Sequence, residues 1–366
     1  MRRAPLTALL LLATLAGCDA VVLSPSGYIA AQQRDLLIVS TLLMLLIVIP
    51  VMVLTVFFAW RYSERRSERY DPDWSHSTGI ELAVWAAPLM IIICIGAITW
   101  TGTHLLDPFR PLERIGERRP VPADVEPLEV QVVALDWKWL FIYPDYDVAT
   151  VNEVTIPVDR PVRFHLTSQS VMNAFYVPAL AGMIYAMPGM ESRLHAVMNV
   201  PGDYEGFSSN YSGAGFSSMR FRLHGIEPSE FAAWVIRTRA GGEPMLDRAR
   251  YLELAEPSEN VAPMSFRDVE PDLFRRILNR CVEEGRLCID QMAALDSLGG
   301  TGPAGALNTM PADGRRASVL GSDPFYVTEF CTPAESVAQY GKDTVVLLAP
   351  PPLQPPVPAG AADETL

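Results

Sequence analysis

Two apolar runs, Leu36–Ala59 and Ile80–Thr101, constrain what this 366-residue chain can fold into more than any other feature. Both exceed about 20 residues, and at ~1.5 Å of rise per residue a helix of that length crosses a hydrocarbon layer of ~30 Å. Pro50 and Pro88 lie inside the runs, where membrane helices tolerate them. The hydrophobic share of 49% and charged share of 19% follow from these runs, since most of the apolar excess lies before residue 105. A net charge of −13 argues against nucleic acid as a partner, which requires clustered Lys and Arg.

A shorter apolar stretch, Leu6 to Leu15 behind Arg2 and Arg3, has the form of an export signal and is too short to span. It ends in Leu15-Ala16-Gly17-Cys18, which resembles the bacterial lipoprotein cleavage box. The expectation is that residues 1–17 are removed and that Cys18 carries a covalent lipid. The alternative is an ordinary signal peptide or an uncleaved anchor. Residues 18–34 then form an outer segment, 35–60 the first span, 61–79 a loop and 80–103 the second span. Arg61, Arg65, Arg66 and Arg69 assign that loop to the cytoplasm by the positive-inside rule. Arg110, Arg114, Arg118 and Arg119 beyond the second span oppose this bias. The export signal supports the same orientation independently, giving a multi-pass protein of the bacterial inner membrane with its C-terminal domain in the periplasm.

After a linker over 104–127, the pattern changes to strands. Leu128–Ile142 reads as a strand or hairpin, and Val162–Thr167 and Met219–His224 alternate apolar and polar with period two. Pro178, Gly182, Pro188-Gly189 and Pro201-Gly202 punctuate the spaces. Short alternating strands with regular turns predict an all-β sandwich over 128–240, ending near Val235 after a helical turn at Pro228–Phe231. An extension over 241–290 contains a helix from Asp272 to Glu284, and 291–366 is a Gly/Ala/Pro-rich tail with proline-dense Pro350–Pro358.

The histidines and cysteines admit several readings. His165, His195 and His224 could form a three-imidazole metal site, but His165 and His224 fall on the polar side of their strands, which favours solvated surface histidines. His76 and His104 flank the second span. Outside the cytoplasm Cys281, Cys288 and Cys331 could form a disulfide. On one straight helix Cys281 and Cys288 would be about 10 Å apart, too far to bond unless Gly285 breaks it. Pairing of either with Cys331 is equally open. Cys94 reads as packing within the second span.

Several strings resemble subunit II of the haem–copper terminal oxidases: Asp73-Trp74-Ser75-His76-Ser77, Glu81–Trp85 with Pro88, and Trp100 with His104–Pro108. Asp136-Trp137-Lys138-Trp139 with Tyr143-Pro144 resembles the opening of that family's cupredoxin domain, and Val177–Leu180 and Met187–Met190 continue the likeness. Leu254–Phe274 is similar to the extension of its quinol-oxidase branch, and the resemblance covers about residues 15–285. It implies a two-helix transmembrane hairpin followed by an all-β cupredoxin-like sandwich.

Members that oxidise cytochrome c hold a dinuclear copper centre on one upstream His and a loop Cys-x-Glu-x-Cys-x-x-x-His-x-x-Met. Aligned on Met219, Ser208 and Ser212 stand at the Cys positions, Asn210 at the Glu, Phe216 at the loop His and Asn173 at the upstream His. Only Met219 keeps the side chain of that pattern. A copper pair needs bridging thiolates, and no Cys lies between Leu128 and Arg280. The resemblance therefore implies subunit II of a proton-pumping ubiquinol oxidase that reduces oxygen to water. The chain would be a scaffold and outer cap with no cofactor of its own and no catalytic residue. A partner subunit I would carry two haems and one copper, beside a subunit III and a small subunit. Trp137 and Trp139, where copper-bearing relatives place electron-entry aromatics, would be sandwich core. Glu81 matches a position associated with the mouth of a proton channel, although an acidic residue in a first helical turn also simply favours the helix dipole. The competing readings are a cytochrome c oxidase subunit II with aberrant ligands, and a free-standing membrane lipoprotein binding module.

Overall fold

Both apolar runs are helices, and both are longer than the runs themselves. In the computed structural model, which describes residues 20–63, 76–123 and 125–297, α1 spans Tyr28–Arg61 and α2 spans Thr78–Leu105. At 34 residues, α1 is about 50 Å long, well beyond the ~30 Å of a hydrocarbon core. Residues 28–34 of the expected outer segment 18–34 belong to this helix, which continues past the apolar run to the sandwich. Ile29 and Ala30 are its two buried residues. Ser26 N and Gly27 N donate to Ala179 O at 3.0 and 2.8 Å, and Asn199 N donates to Ser26 O at 2.9 Å. A Cβ on Gly27 would stand 2.4 Å from Leu180 O, so the close approach requires glycine. The helices meet near their outer ends, where Leu36 packs over Gly102. Cys18, Arg65, Arg66, Arg69, Cys331 and the tail from residue 298 lie outside the described residues.

Beyond α2, β1 (Arg114–Gly116) and β2 (Arg119–Pro120) pair within the linker. The strands that follow are β3 (Leu128–Leu135), β4 (Lys138–Tyr143), β5 (Val148–Val151) and β6 (Glu153–Pro157). Then come β7 (Val162–Ser168), β8 (Asn173–Tyr176), β9 (Ile184–Ala186), β10 (Ser192–Ala196), β11 (Gly202–Ser208) and β12 (Arg220–Ile226). One sheet has the order β10-β7-β3-β4-β5, and the other β6-β12-β11-β8-β9. Their inward faces form one core that includes Val130, Trp139, Phe141, Phe164, Phe175, Phe221 and Leu223. The alternation read in 162–167 and 219–224 is the alternation of buried and half-exposed residues along β7 and β12.

The domain does not end near 240. Helix α3 runs from Pro228 to Gly241, far past a single turn, and α4 covers Arg248–Ala255. Strand β13 (Met264–Phe266) then pairs antiparallel with β5 and becomes the sixth strand of the first sheet. All six residues of β4 are buried, although only Trp139, Phe141 and Tyr143 face the inter-sheet core. Lys138, Leu140 and Ile142 point the other way. On that side Lys138 Nζ donates to Glu256 O at 2.7 Å and to the Ser258 hydroxyl, and Asn152 Nδ2 donates to Val261 O at 2.8 Å. The extension thus covers the second face of β4, which explains a continuous apolar strand where alternation is usual.

Contacts divide the chain at Phe274/Arg275. The expected helix 272–284 is shorter: α5 covers Leu273–Leu278, after which Arg280 adopts φ 55° and Gly285 φ 79°. That reversal brings Cys281 and Cys288 to a Cα–Cα separation of 4.8 Å, where they form a disulfide. Ile289 N and Asp290 N donate to the backbone O and Oδ1 of Asn279. Helix α6 (Ile289–Ser297) occupies the start of what the sequence suggested was tail.

Candidate functional site

The six positions aligned with copper ligands are brought together by β8, β11 and the loop 209–219. Antiparallel pairing sets Ser208 opposite Phe175, which carries Asn173 to the end of β11. Ser208 Oγ lies 3.2 Å from Asn173 Oδ1 and 3.2 Å from Asn210 O, either of which accepts its proton. The same oxygen accepts from Ala174 N at 3.3 Å. Asn173 Nδ2 donates to Val171 O, and Asn210 Nδ2 to Met172 O at 3.0 Å. Asn173, Ser208 and Met219 are all buried. Their polar groups are thus satisfied by one another and by loop backbone, as burial demands.

The other half of the loop closes on sulfur and on indole. Ser212 Oγ lies 3.9 Å from Met219 Sδ. Phe216 turns aside from this pair and meets Tyr211 edge-on at 5.6 Å. Trp137, the left-handed residue of the β3–β4 turn at φ 65°, donates its Nε1–H to Ser212 O at 3.1 Å. Its ring occupies the space that a Cβ at Gly215 would enter at 2.4 Å. Trp137 is therefore a half-buried brace under the loop, whereas Trp139 is fully buried against Phe175 and Phe221 at 5.5 Å each. The Trp139 Nε1–H has no hydrogen-bond partner among the described residues.

As a ligand set, two hydroxyls, two amides, a phenyl ring and one thioether do not fit a dinuclear copper centre, which requires bridging thiolates and imidazole. Among the described residues no three His, Cys, Asp or Glu side chains converge as a metal site. The three histidines do not meet at one point. His224 pairs with Asp203 across β11–β12. His165 lies between two carboxylates, Nε2 at 2.6 Å from Glu129 and Nδ1 at 2.8 Å from Glu191. His195 corrects the reading of solvated surface histidines. It is buried beside the linker, its backbone N donating to Pro108 O at 3.1 Å, and burial followed by the nearby Arg163 charge lowers its pKa. Sequence spacing gave no signal for this, because the linker that covers β10 is remote in the chain.

Glu81 occupies the first turn of α2 with a half-exposed side chain, and its Oε2 lies 3.4 Å from His76 Nε2. Among the described residues the Ser77 side chain makes no capping bond, and Glu81 is the acidic residue of the first turn. His104, in the last turn, stacks at 4.4 Å on Trp100 and shares its carbonyl through Nδ1. Cys94 is a free thiol on the exposed surface of α2.

Comparison with known proteins fits this architecture. Residues 144–226 match the family model for the cytochrome c oxidase subunit II periplasmic domain, and residues 240–285 match the COX aromatic-rich motif. The chain is 45% identical over 267 residues to cytochrome bo(3) ubiquinol oxidase subunit 2 of Pseudomonas putida, covering 73% of this chain and 82% of that one. It is 46% identical over 272 residues to the protein of that name from Pseudomonas aeruginosa, covering 74% and 79%. With ubiquinol oxidase subunit 2 of Acetobacter aceti it shares 46% identity over 265 residues, covering 72% and 83%. The second motif coincides with the extension that covers β4, so the match reaches the part of the fold that sequence periodicity left unassigned. The chain belongs to the subunit II family of haem–copper oxidases, in its ubiquinol-oxidase branch.

Proposed function

We propose that this chain is the non-redox second subunit of a proton-pumping ubiquinol oxidase, acting as scaffold and outer cap for a catalytic partner. One observation carries the reading. The positions that hold copper in cytochrome c-oxidising relatives are here closed by Ser208–Asn173 and Ser212–Met219 contacts. Hard alcohol and amide oxygens replace thiolate and imidazole, so the loop offers electrons from cytochrome c no entry point. Electrons come instead from ubiquinol in the membrane, and oxygen is reduced to water in the partner subunit I, which carries two haems and one copper. Subunit III and a small subunit complete the assembly.

The chain crosses the inner membrane twice, with the loop at Arg61 cytoplasmic and the sandwich periplasmic. The Cys281–Cys288 disulfide suits that oxidising side. Cys18 is the lipid attachment point, and mass spectrometry of the N-terminal peptide checks it. Glu81, at the cytoplasmic start of α2, is the candidate for a proton path into the partner. Metal analysis of the purified complex tests the main reading. Copper should match the partner's haem–copper centre alone, and further copper with thiolate-to-copper absorption contradicts it.

A further inference from the structure

A cavity of about 380 Å³ lies where the outer ends of both helices meet the sandwich. One wall is the first two turns of α1, presenting Tyr28, Ile29, Gln32 and Gln33. The opposite wall is the linker after α2, which brings Asp107, Arg110, Glu113 and Arg114. Leu106, Leu112 and Leu194 supply apolar surface between them. The walls are held in place independently: Gly27 N bonds to Ala179 O on the helix side, and His195 N bonds to Pro108 O on the linker side.

The depth of this cavity follows from the sequence of its walls. Leu36 begins the almost purely apolar run and packs over Gly102, and we take this level as the edge of the hydrocarbon. Gln33 and Gln32 lie three and four residues outward of Leu36, or about 5–6 Å along the helix axis. The headgroup layer of one leaflet is roughly 5–8 Å thick. The cavity therefore opens at the level of lipid headgroups, with apolar surface for the start of acyl chains and polar side chains for what lies above them.

The charges narrow the ligand. Two cations, Arg110 and Arg114, alternate with two anions, Asp107 and Glu113, along the linker wall, and Arg110 and Glu113 pair at 2.6 Å. An anionic headgroup would meet as much repulsion as attraction here, whereas a headgroup with its own phosphate and ammonium meets a partner for each. Guanidinium groups suit phosphate oxygens, and carboxylates suit an ammonium. We propose that this cavity binds the headgroup of a zwitterionic, amine-bearing phospholipid of the phosphatidylethanolamine type from the outer leaflet. The proposal rests on the membrane-spanning reading of α1 and α2 and is independent of which electron donor the complex uses.

The test uses the assembled complex in nanodiscs of equal phosphatidylethanolamine and phosphatidylglycerol. Met183, an exposed residue at the cavity rim, is replaced by the photoreactive Met183→benzoylphenylalanine. The expected product is a phosphatidylethanolamine adduct in about tenfold excess over the phosphatidylglycerol adduct. Adding Arg110→Ala and Arg114→Ala should abolish the excess. Adding Asp107→Asn and Glu113→Gln should invert the preference toward phosphatidylglycerol. These are linker surface charges, and haem content reports assembly in each variant. Equal labelling of both lipids, labelling of a protein subunit, or labelling of quinone overturns the proposal. Quinol-driven oxygen consumption on the same samples reports separately on the proposed function.

Discussion

Ser208 and Asn173, 35 residues apart in sequence, share a buried hydrogen bond of 3.2 Å. The pairing proposed above sets these two residues against a copper-bridging cysteine and the upstream histidine of cytochrome c-oxidising relatives, and on that proposal hydrogen bonding stands where metal coordination would be. Short polar and apolar contacts hold the loop: Ser208 with Asn173, Ser212 with Met219, Phe216 with Tyr211.

This predicts that the pair now has a structural role. Ser208→Ala leaves the buried Asn173 Oδ1 and Ala174 N each without the hydroxyl they contact. Unsatisfied buried groups cost about 1–3 kcal/mol, so the variant should lose that much unfolding free energy and show a lower denaturant midpoint. Copper content of the complex should be unchanged. Chemical denaturation followed by tryptophan fluorescence checks the first, and metal analysis the second.

Trp139 should tolerate loss of its polar atom better than loss of its ring. Its N–H has no partner among the described residues, while its ring packs edge-on against Phe175 and Phe221. Trp139→Phe should therefore cost less than about 1.5 kcal/mol, and Trp139→Ala about 3–5 kcal/mol. Equal losses in the two variants would assign the indole nitrogen a role that the packing does not show.

The outer face of β3, β7 and β10 should make the sandwich sensitive to acid. Burial alone would raise the Glu191 carboxyl, but hydrogen bonds and charge from Arg193 and His165 outweigh it and lower the pKa. His195 is likewise held below its ordinary value by burial and then by Arg163. In both cases the unfolded chain binds protons more readily than the folded one, so both contributions are present at neutral pH and are lost on acidification. The His195 contribution falls away below about 6.5, and that of Glu191 below about 4.3. Glu191→Gln should flatten the lower part of this profile, measured as thermal midpoint against pH, and leave the upper part in place.

Glu81 is tested by exchanging its charge while keeping its helix start. Glu81→Gln and Glu81→Ala should slow turnover of the assembled complex with haem content unchanged, if the carboxylate passes protons to the partner. Its half-exposed position beside His76 shows that the side chain is accessible from the helix end. Normal turnover in both variants would leave Glu81 as a helix-start residue only.

Much of this architecture was legible because local pattern and global fold agree. The alternation in 162–167 and 219–224 reports the two faces of β7 and β12 directly, and the loop 208–219 could be read position by position. The parts that escaped depend on distant segments. Gln32, Gln33 and Arg34 give the start of α1 a polar character, so nothing local extends the helix to Tyr28, where the sandwich receives it. Strand β13 is three residues long and gains its identity from pairing with β5. Lys138 is buried because the carbonyl of Glu256, 118 residues away, accepts its proton. A domain cut at residue 240 would strip that carbonyl and the Asn152 contact to Val261, which is why the folded outer domain must include the extension.

On the proposed function, this subunit serves an oxidase fed by quinol and not by cytochrome c. This is tested most directly by oxygen consumption of the complex purified from membranes, driven in parallel by ubiquinol and by reduced cytochrome c. Rapid consumption is expected with ubiquinol and none above background with cytochrome c, because the loop around Ser208 and Ser212 offers no copper ligand set to receive those electrons. Turnover with reduced cytochrome c at a rate matching or exceeding that with ubiquinol would contradict the proposed function.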